Sequence, residues 1–491
     1  MEIYKGIVLS VATFAMNGYL YSQTLTPNIV YILADDIGYG DFGCYGAKRI
    51  KTPNIDQLAK EGVLFTQAYA PASTSSPSRY ALLTGEYAFR KKVAILPGNA
   101  PLTIDTACLT LPKLLKNIGY RTALVGKWHL GLGDKGNVID FNGKIAPGPL
   151  EIGFDYAYYF PATNDRVPCV YIENHKVDKW DEKDPIKVSY QQKIGMDPTG
   201  KENPELLKLK HFSGHDGTII NGIGRIGWME GGKNARWCDE TMGNVFLSKA
   251  KDFIKSNGKK SPFFLCYFTH NAHEPRVPSA LFRGHSQAGV YGDVIEEFDY
   301  YVGEIVKTLK QEGLYENTLI IVTSDNGPRI KEGYEDGGLE HLNGHNPYHG
   351  LKGRKGQRYE GGLRVPFIAS CPVFQVASFR QNQPFCYLDI LATFASMTKQ
   401  NISKVDLKDS MDAFELFIDE NAPVYRDYLL LEGDGLTVRK DDWKYIPSRD
   451  STKKGELFNM KDTILEQRNH INDNLEVLED LQNICVNFNF R

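Results

Sequence analysis

Two apolar runs, each ending in oxygen-bearing side chains, constrain this chain more than any other feature. Residues 28–33 (Asn-Ile-Val-Tyr-Ile-Leu) are nearly all apolar and lead through Ala34 into Asp35 and Asp36. Residues 318–323 (Thr-Leu-Ile-Ile-Val-Thr) lead into Ser324, Asp325 and Asn326. A run without polar alternation is buried on both faces, as in a parallel sheet covered by helices. In open α/β sheets ligands gather beyond the carboxyl ends of the strands. Adjacent carboxylates there repel each other unless a cation lies between them. Four hard oxygen donors from two strand ends suit Ca²⁺ or Mg²⁺ rather than zinc or copper.

Other stretches feed the same region. Residues 121–125 predict a strand leading into Lys127-Trp128-His129, and if the extension continues, Lys127 and His129 point the same way. Residues 261–269 predict another, ending in His270-Asn271-Ala272-His273-Glu274-Pro275. Residues 52–62 form a capped helix with Ile55, Leu58 and Ala59 inward. Between 73 and 85 a polar loop runs into a helix, with Pro77 in the first turn and Gly85 as the stop. Ser75 then sits just ahead of the helix, where free N–H groups and the dipole favour an anion. A serine so placed is either a cap or a nucleophile. Arg79, about a turn further on, has the reach to grip an anionic oxygen in a fork. The Gly- and His-rich loop 328–352 is too long for a plain connector and precedes Lys355. Short strands at 428–432, 435–439 and 443–446, and a helix at 475–485, close the chain.

Length and charge set the remaining bounds. A chain of 491 residues exceeds one ordinary core and implies two or three domains. A net charge of −3 gives no global pull toward nucleic acid or anionic membrane, so any anionic substrate needs a local basic pocket. Lys5 followed by the apolar run 6–16 reads as an export signal over residues 1–22. That makes the protein periplasmic or secreted. The run is too short for a transmembrane anchor. Eight cysteines show no zinc spacing; they permit disulfides without requiring them.

Ser75-x-Pro77-Ser78-Arg79 with Leu83-Thr84-Gly85 resembles the signature of the type I sulfatases, members of the alkaline-phosphatase-like superfamily. The similarity continues through Ala34-Asp35-Asp36, Thr52-Pro53-Asn54-Ile55-Asp56, Gly126 to Gly131, Ser324 to Gly327, Lys355 to Gly362, and Glu456-Leu457-Phe458-Asn459. The resemblance implies an α/β catalytic domain with a central mixed β-sheet flanked by helices, residues 23–410. A smaller α+β unit with a short antiparallel sheet would follow at 411–491. It also implies that a maturation enzyme oxidises residue 75 to formylglycine. The hydrated aldehyde carries two hydroxyls, one to attack sulfur and one whose collapse expels sulfate; a plain serine would stay sulfated. Many sulfatases have Cys there. A serine is either native, matured by an anaerobic radical system, or a Cys→Ser replacement.

Carried over by position, Asp35, Asp36, Asp325 and Asn326, with an oxygen of residue 75, would hold Ca²⁺, Mg²⁺ being the alternative. Arg79, Lys127 and Lys355 would neutralise the sulfuryl oxygens. His273 or Lys355 would protonate the leaving oxygen, His270 being the competing histidine, and His129 would accept the proton of the second hydroxyl. The implied partner is a sulfated saccharide: a glycosaminoglycan, mucin or algal fragment, with a galactose or N-acetylgalactosamine type favoured. Asn164, Asp165, Arg166, His215, Arg276 and His345 are the loop residues assigned to sugar contact. Two other readings stay open. One is a phosphoryl-transfer hydrolase with unmodified Ser75 as nucleophile, against which the single all-oxygen constellation argues. The other is a non-catalytic sulfated-glycan-binding protein.

Overall fold

The apolar runs lie side by side at the centre of one large sheet. The computed structural model describes residues 26–212, 214–450 and 452–488, so the export-signal reading at 1–22 lies outside the described residues. Ten strands build the sheet: β1 (Asn28–Ala34), β2 (Val63–Phe65), β3 (Arg121–Lys127), β4 (Tyr156–Phe160), β5 (Ile172–Glu173), β6 (Lys176–Val177), β7 (Phe263–Phe268), β8 (Thr318–Ser324), β9 (Phe367–Ser370) and β10 (Phe379–Gln381). Their order is β10-β2-β9-β8-β1-β7-β3-β4-β5-β6. The five strands from β8 to β4 in that order are parallel, whereas β9 runs antiparallel to both β8 and β2. The sheet is therefore mixed, as expected. Every residue of β1, β7 and β8 is buried, which explains their lack of polar alternation.

Helices cover the sheet. They include α1 (Pro53–Glu61), α2 (Ser75–Thr84), α3 (Leu111–Lys116), α4 (Met242–Asn257), α5 (Gly289–Gln311) and α6 (Ile390–Met397). The long α5 packs on α4 and α1, while α2 packs on α3 and α6. Among the described residues no helix is long and apolar enough to cross a membrane.

Register fixes the geometry at the strand ends. Ala34 pairs with Ser324, so Asp35 and Asp325 leave adjacent strands at the same level. The Asp325 N–H donates to Ala34 O at 3.1 Å and the Asp35 N–H to Asn271 O at 2.7 Å, tying the ends of β1, β8 and β7 together.

The C-terminal residues form a separate antiparallel sheet, β11 (Leu429–Glu432), β12 (Leu436–Lys440), β13 (Trp443–Ile446) and β14 (Glu456–Asn459), in sequence order. Helix α7 (Leu475–Asn487) packs on β12 and β13. Its apolar side joins Leu430, Val438 and Leu481 to Tyr69, Ala81 and Leu363. At the centre of this junction Lys444 Nζ lies 2.8 Å from both Glu360 Oε1 and Glu466 Oε1 with all three side chains fully buried. Arg364 Nε donates to Glu360 Oε2 at 2.6 Å. Burial alone would raise the Glu360 carboxyl, but Lys444 and Arg364 hold it down at about 2. Lys444→Met leaves two buried carboxylates facing one guanidinium. It should cost about 3–5 kcal/mol in denaturant unfolding; a loss below about 1 kcal/mol would contradict this account of the junction.

Candidate active site

The site lies where β1 and β8 end. Asp36 has a left-handed backbone (φ 60°), which stops the strand alternation that would send neighbouring side chains to opposite faces. As a result Asp35, Asp36 and Asp325 bring one carboxylate oxygen each within 4.8 Å of one another. All three are buried, with exposure of 1% or less.

Helix α2 delivers Ser75 to this cluster. The sequence placed Ser75 ahead of the helix as a cap or nucleophile. Instead Thr74 is the extended N-cap residue, and Ser75 is the first residue of the helix. Freed from capping, Ser75 Oγ donates to Asp35 Oδ1 at 3.2 Å and accepts from Lys127 Nζ at 3.0 Å. One turn later Arg79 sends Nε and an NH2 group to Asp325 Oδ2 at 3.1 and 2.9 Å. Its guanidinium lies 5.4 Å from the centre of the Phe268 ring. Lys127, the last residue of β3, reaches Asp35 Oδ2 at 2.6 Å. Lys355 Nζ donates at 2.8 Å to Asp36 Oδ2 and to Glu332 Oε2. His273 Nε2 lies 4.0 Å from Asp36 Oδ2 and 3.8 Å from Glu332 Oε2.

Three buried carboxylates with one ammonium or guanidinium each are strained electrostatically. Burial pushes Asp35 up to about 6 despite Lys127 against it. For Asp325 burial acts the same way, but Arg79 and Lys127 hold it below the usual carboxylate range. Glu332 is likewise opposed by burial and held down at about 2 by Lys355 and His273. A divalent cation fits this donor set: every ligand is a hard oxygen, and the buried Asn326 Oδ1 has no hydrogen-bond partner among the described residues. Asp35, Asp36, Asp325 and Asn326 are the residues that would hold it.

The remaining assigned residues fall into three groups. His129 does not continue the strand. Its φ of 58° ends the extension, and its Nε2 meets Leu96 O at 3.0 Å. A carbonyl only accepts, so the proton is on Nε2 and Nδ1, buried without a partner among the described residues, carries the lone pair. Burial first, then Lys127, Arg166 and Arg79, hold this ring well below its ordinary value, so it is neutral. Asn164, Asp165, Arg166 and His215 form a second group beside the His273 loop. Asn164 Nδ2 donates to His273 O and Pro275 O at 3.3 and 3.1 Å, and His215 Nε2 lies 3.1 Å from Asp165 Oδ2. Arg166 NH1 meets Asp165 Oδ1 at 2.9 Å.

Arg276 and His345 are placed differently from their assignment to sugar contact. Arg276 is fully buried and spends its donors on Glu274 (3.2 Å), Asp336 (2.8 Å) and the carbonyls of Ala272, Arg329 and Ile330. His345 is buried against Asp41 at 2.7 Å. Both brace loops. Glu332 was missed altogether, because nothing local distinguishes a glutamate in a 25-residue polar loop, 328–352, from a solvated one.

Fold and site together define an anion-handling hydrolase of the alkaline-phosphatase-like kind, and the family is specific. The chain belongs to the sulfatase family, whose pattern matches residues 27–407, and it is a sulfuric ester hydrolase. It is 49% identical over 428 residues to an N-acetylgalactosamine-6-O-sulfatase of Bacteroides thetaiotaomicron, covering 87% of this chain and 83% of that protein. Human arylsulfatase A is 32% identical over 393 residues, 79% of this chain and 67% of its own length. A solved Bacteroides thetaiotaomicron structure, described with that organism's metabolism of multiple glycosaminoglycans, superposes with a TM-score of 0.90. Its sequence is 44% identical, over 95% of this chain and 100% of that one.

Adding Ca²⁺ should raise the melting temperature, with about 2.7 kcal/mol gained at a hundredfold excess over Kd, and Asp36→Asn should abolish the rise. An unchanged melting curve in the unaltered protein would contradict the metal assignment.

Proposed function

We propose that this sulfatase removes a 6-O-sulfate from an N-acetylgalactosamine-type residue of a sulfated saccharide, with a glycosaminoglycan fragment as the substrate class. The observation that carries this is the 49% identity, over 87% of the chain, to a protein of that named specificity. The Asp165–His215 pair and Arg166, grouped beside His273, are polar residues suited to the hydroxyl and amide groups of such a sugar. The catalytic unit is assigned to residues 23–410 and the C-terminal unit to 411–491; the family pattern ending at 407 supports that division. Lys5 and the apolar run 6–16 support export to the periplasm or beyond the cell.

The reaction is read with Ser75 oxidised to formylglycine by a partner maturation enzyme and with Ca²⁺ on Asp35, Asp36, Asp325 and Asn326. Together these supply a geminal hydroxyl pair, one to attack and one to release sulfate, and a Lewis acid beside it. The chain's own residues do the rest. Residue 75 opens α2, so the positive end of the helix dipole lies where negative charge develops. Lys127 holds the oxygen at 75, while Arg79 and Lys355 place positive charge around the sulfuryl group. His129, neutral with its lone pair on Nδ1, is prepared to take a proton. His273 Nδ1 donates to Glu274 O at 2.6 Å, which fixes the ring and leaves Nε2 to serve the leaving oxygen.

Turnover of N-acetylgalactosamine 6-sulfate, its 4-sulfate isomer and N-acetylglucosamine 6-sulfate tests the specificity. The 6-sulfated galactosamine should be preferred in kcat/KM by about a hundredfold or more, since hydroxyl-reading sites discriminate strongly. Equal rates on all three would overturn the substrate assignment.

A further inference from the structure

Glu332 stands at the mouth of the site, its side chain 22% exposed, and no step above uses it. Its Oε2 lies 2.8 Å from Lys355 Nζ and 3.8 Å from His273 Nε2. The placement is built. Glu274 Oε2 accepts the N–H groups of Glu332, Gly333 and Tyr334 at 3.1, 2.6 and 3.0 Å. Arg276 in turn holds Glu274 and the carbonyls of Arg329 and Ile330. A turn locked from both sides therefore keeps a carboxylate against a lysine assigned to the sulfuryl group.

We propose that Glu332 is a specificity-determining residue that selects ligands by charge: it offsets Lys355 so that the pocket accepts a monoanionic sulfate ester and disfavours dianions. Those dianions are phosphate monoesters and the free sulfate product. The charges around the site support this. Arg79, Lys127 and Lys355 face Asp35, Asp36, Asp325 and Glu332, three positive against four negative, while His273, 3.8 Å from Glu332, is neutral. The Asp165–Arg166 pair beside them adds nothing net. A divalent ion brings the site to plus one, matched to a sulfate ester; without Glu332 it would be plus two, matched to a dianion. A carboxylate near the bound group also repels a dianion twice as strongly as a monoanion. Selection against free sulfate further favours product release.

The inference rests on the reading that Arg79 and Lys355 flank the sulfuryl group, and the test separates the two. Calorimetry on the Ca²⁺-loaded protein with residue 75 as serine would compare methyl sulfate, methyl phosphate and inorganic sulfate at about pH 8, well above the second phosphate pKa. Glu332→Gln should tighten both dianions about tenfold relative to methyl sulfate, and Glu332→Asp should keep the unaltered ratio. An unchanged ratio in Glu332→Gln, or an equal change for all three ligands, would overturn the proposal while leaving the pocket reading intact. Failure of the unaltered protein to bind any of them would overturn the pocket reading and this proposal with it.

Discussion

Three buried carboxylates at the ends of two adjacent parallel strands are the constraint on which the structure depends. Asp35, Asp36 and Asp325 cannot share one dry volume as anions unless positive charge meets them there. Three elements supply it: Arg79 from α2, Lys127 from the end of β3, and Lys355 from the segment after the long loop. The electrostatic requirement thus fixes how far α2 approaches the sheet. It sets Ser75, the first residue of that helix, within hydrogen-bond distance of both an aspartate and a lysine. The placement of residue 75 follows from charge balance as much as from packing.

Support spreads outward from this centre. The Glu274–Arg276 pair anchors the loop beyond Ile330, and His345 anchors its far part on Asp41. The junction of Lys444 with Glu360 and Glu466 ties the C-terminal sheet to the segment that follows Lys355. Beyond the local Glu274–Arg276 pair, loops that border the site are held by buried polar contacts, such as Arg276–Asp336, His345–Asp41 and Lys444–Glu360, whose partners lie tens to hundreds of residues apart in sequence. Such pairs cost much to break, which suits a site that must hold its shape while charge moves within it.

The sheet was legible in the sequence because β1, β7 and β8 are buried on both faces and so carry no polar alternation. The Asp35-Asp36 and Asp325-Asn326 ends were legible for the same reason, since a strand end in a parallel sheet is where ligands gather. What was not legible depends on dihedral angles and long-range contacts. The left-handed backbone at His129 ended an extension that the Lys127-x-His129 spacing took for granted. Arg276 and His345 looked like loop residues free to meet a sugar, and only their buried partners show them as braces. Glu332 carries no local mark at all; it matters because a turn 58 residues beyond Glu274 folds back onto that carboxylate.

The central claim is that residue 75 is the reacting centre of a formylglycine enzyme. The most direct measurement is the mass of the tryptic peptide carrying residue 75, from protein made in its native host. A loss of two hydrogens from Ser75, or the corresponding hydrate, is the result this account predicts. An unmodified serine in that material would contradict it.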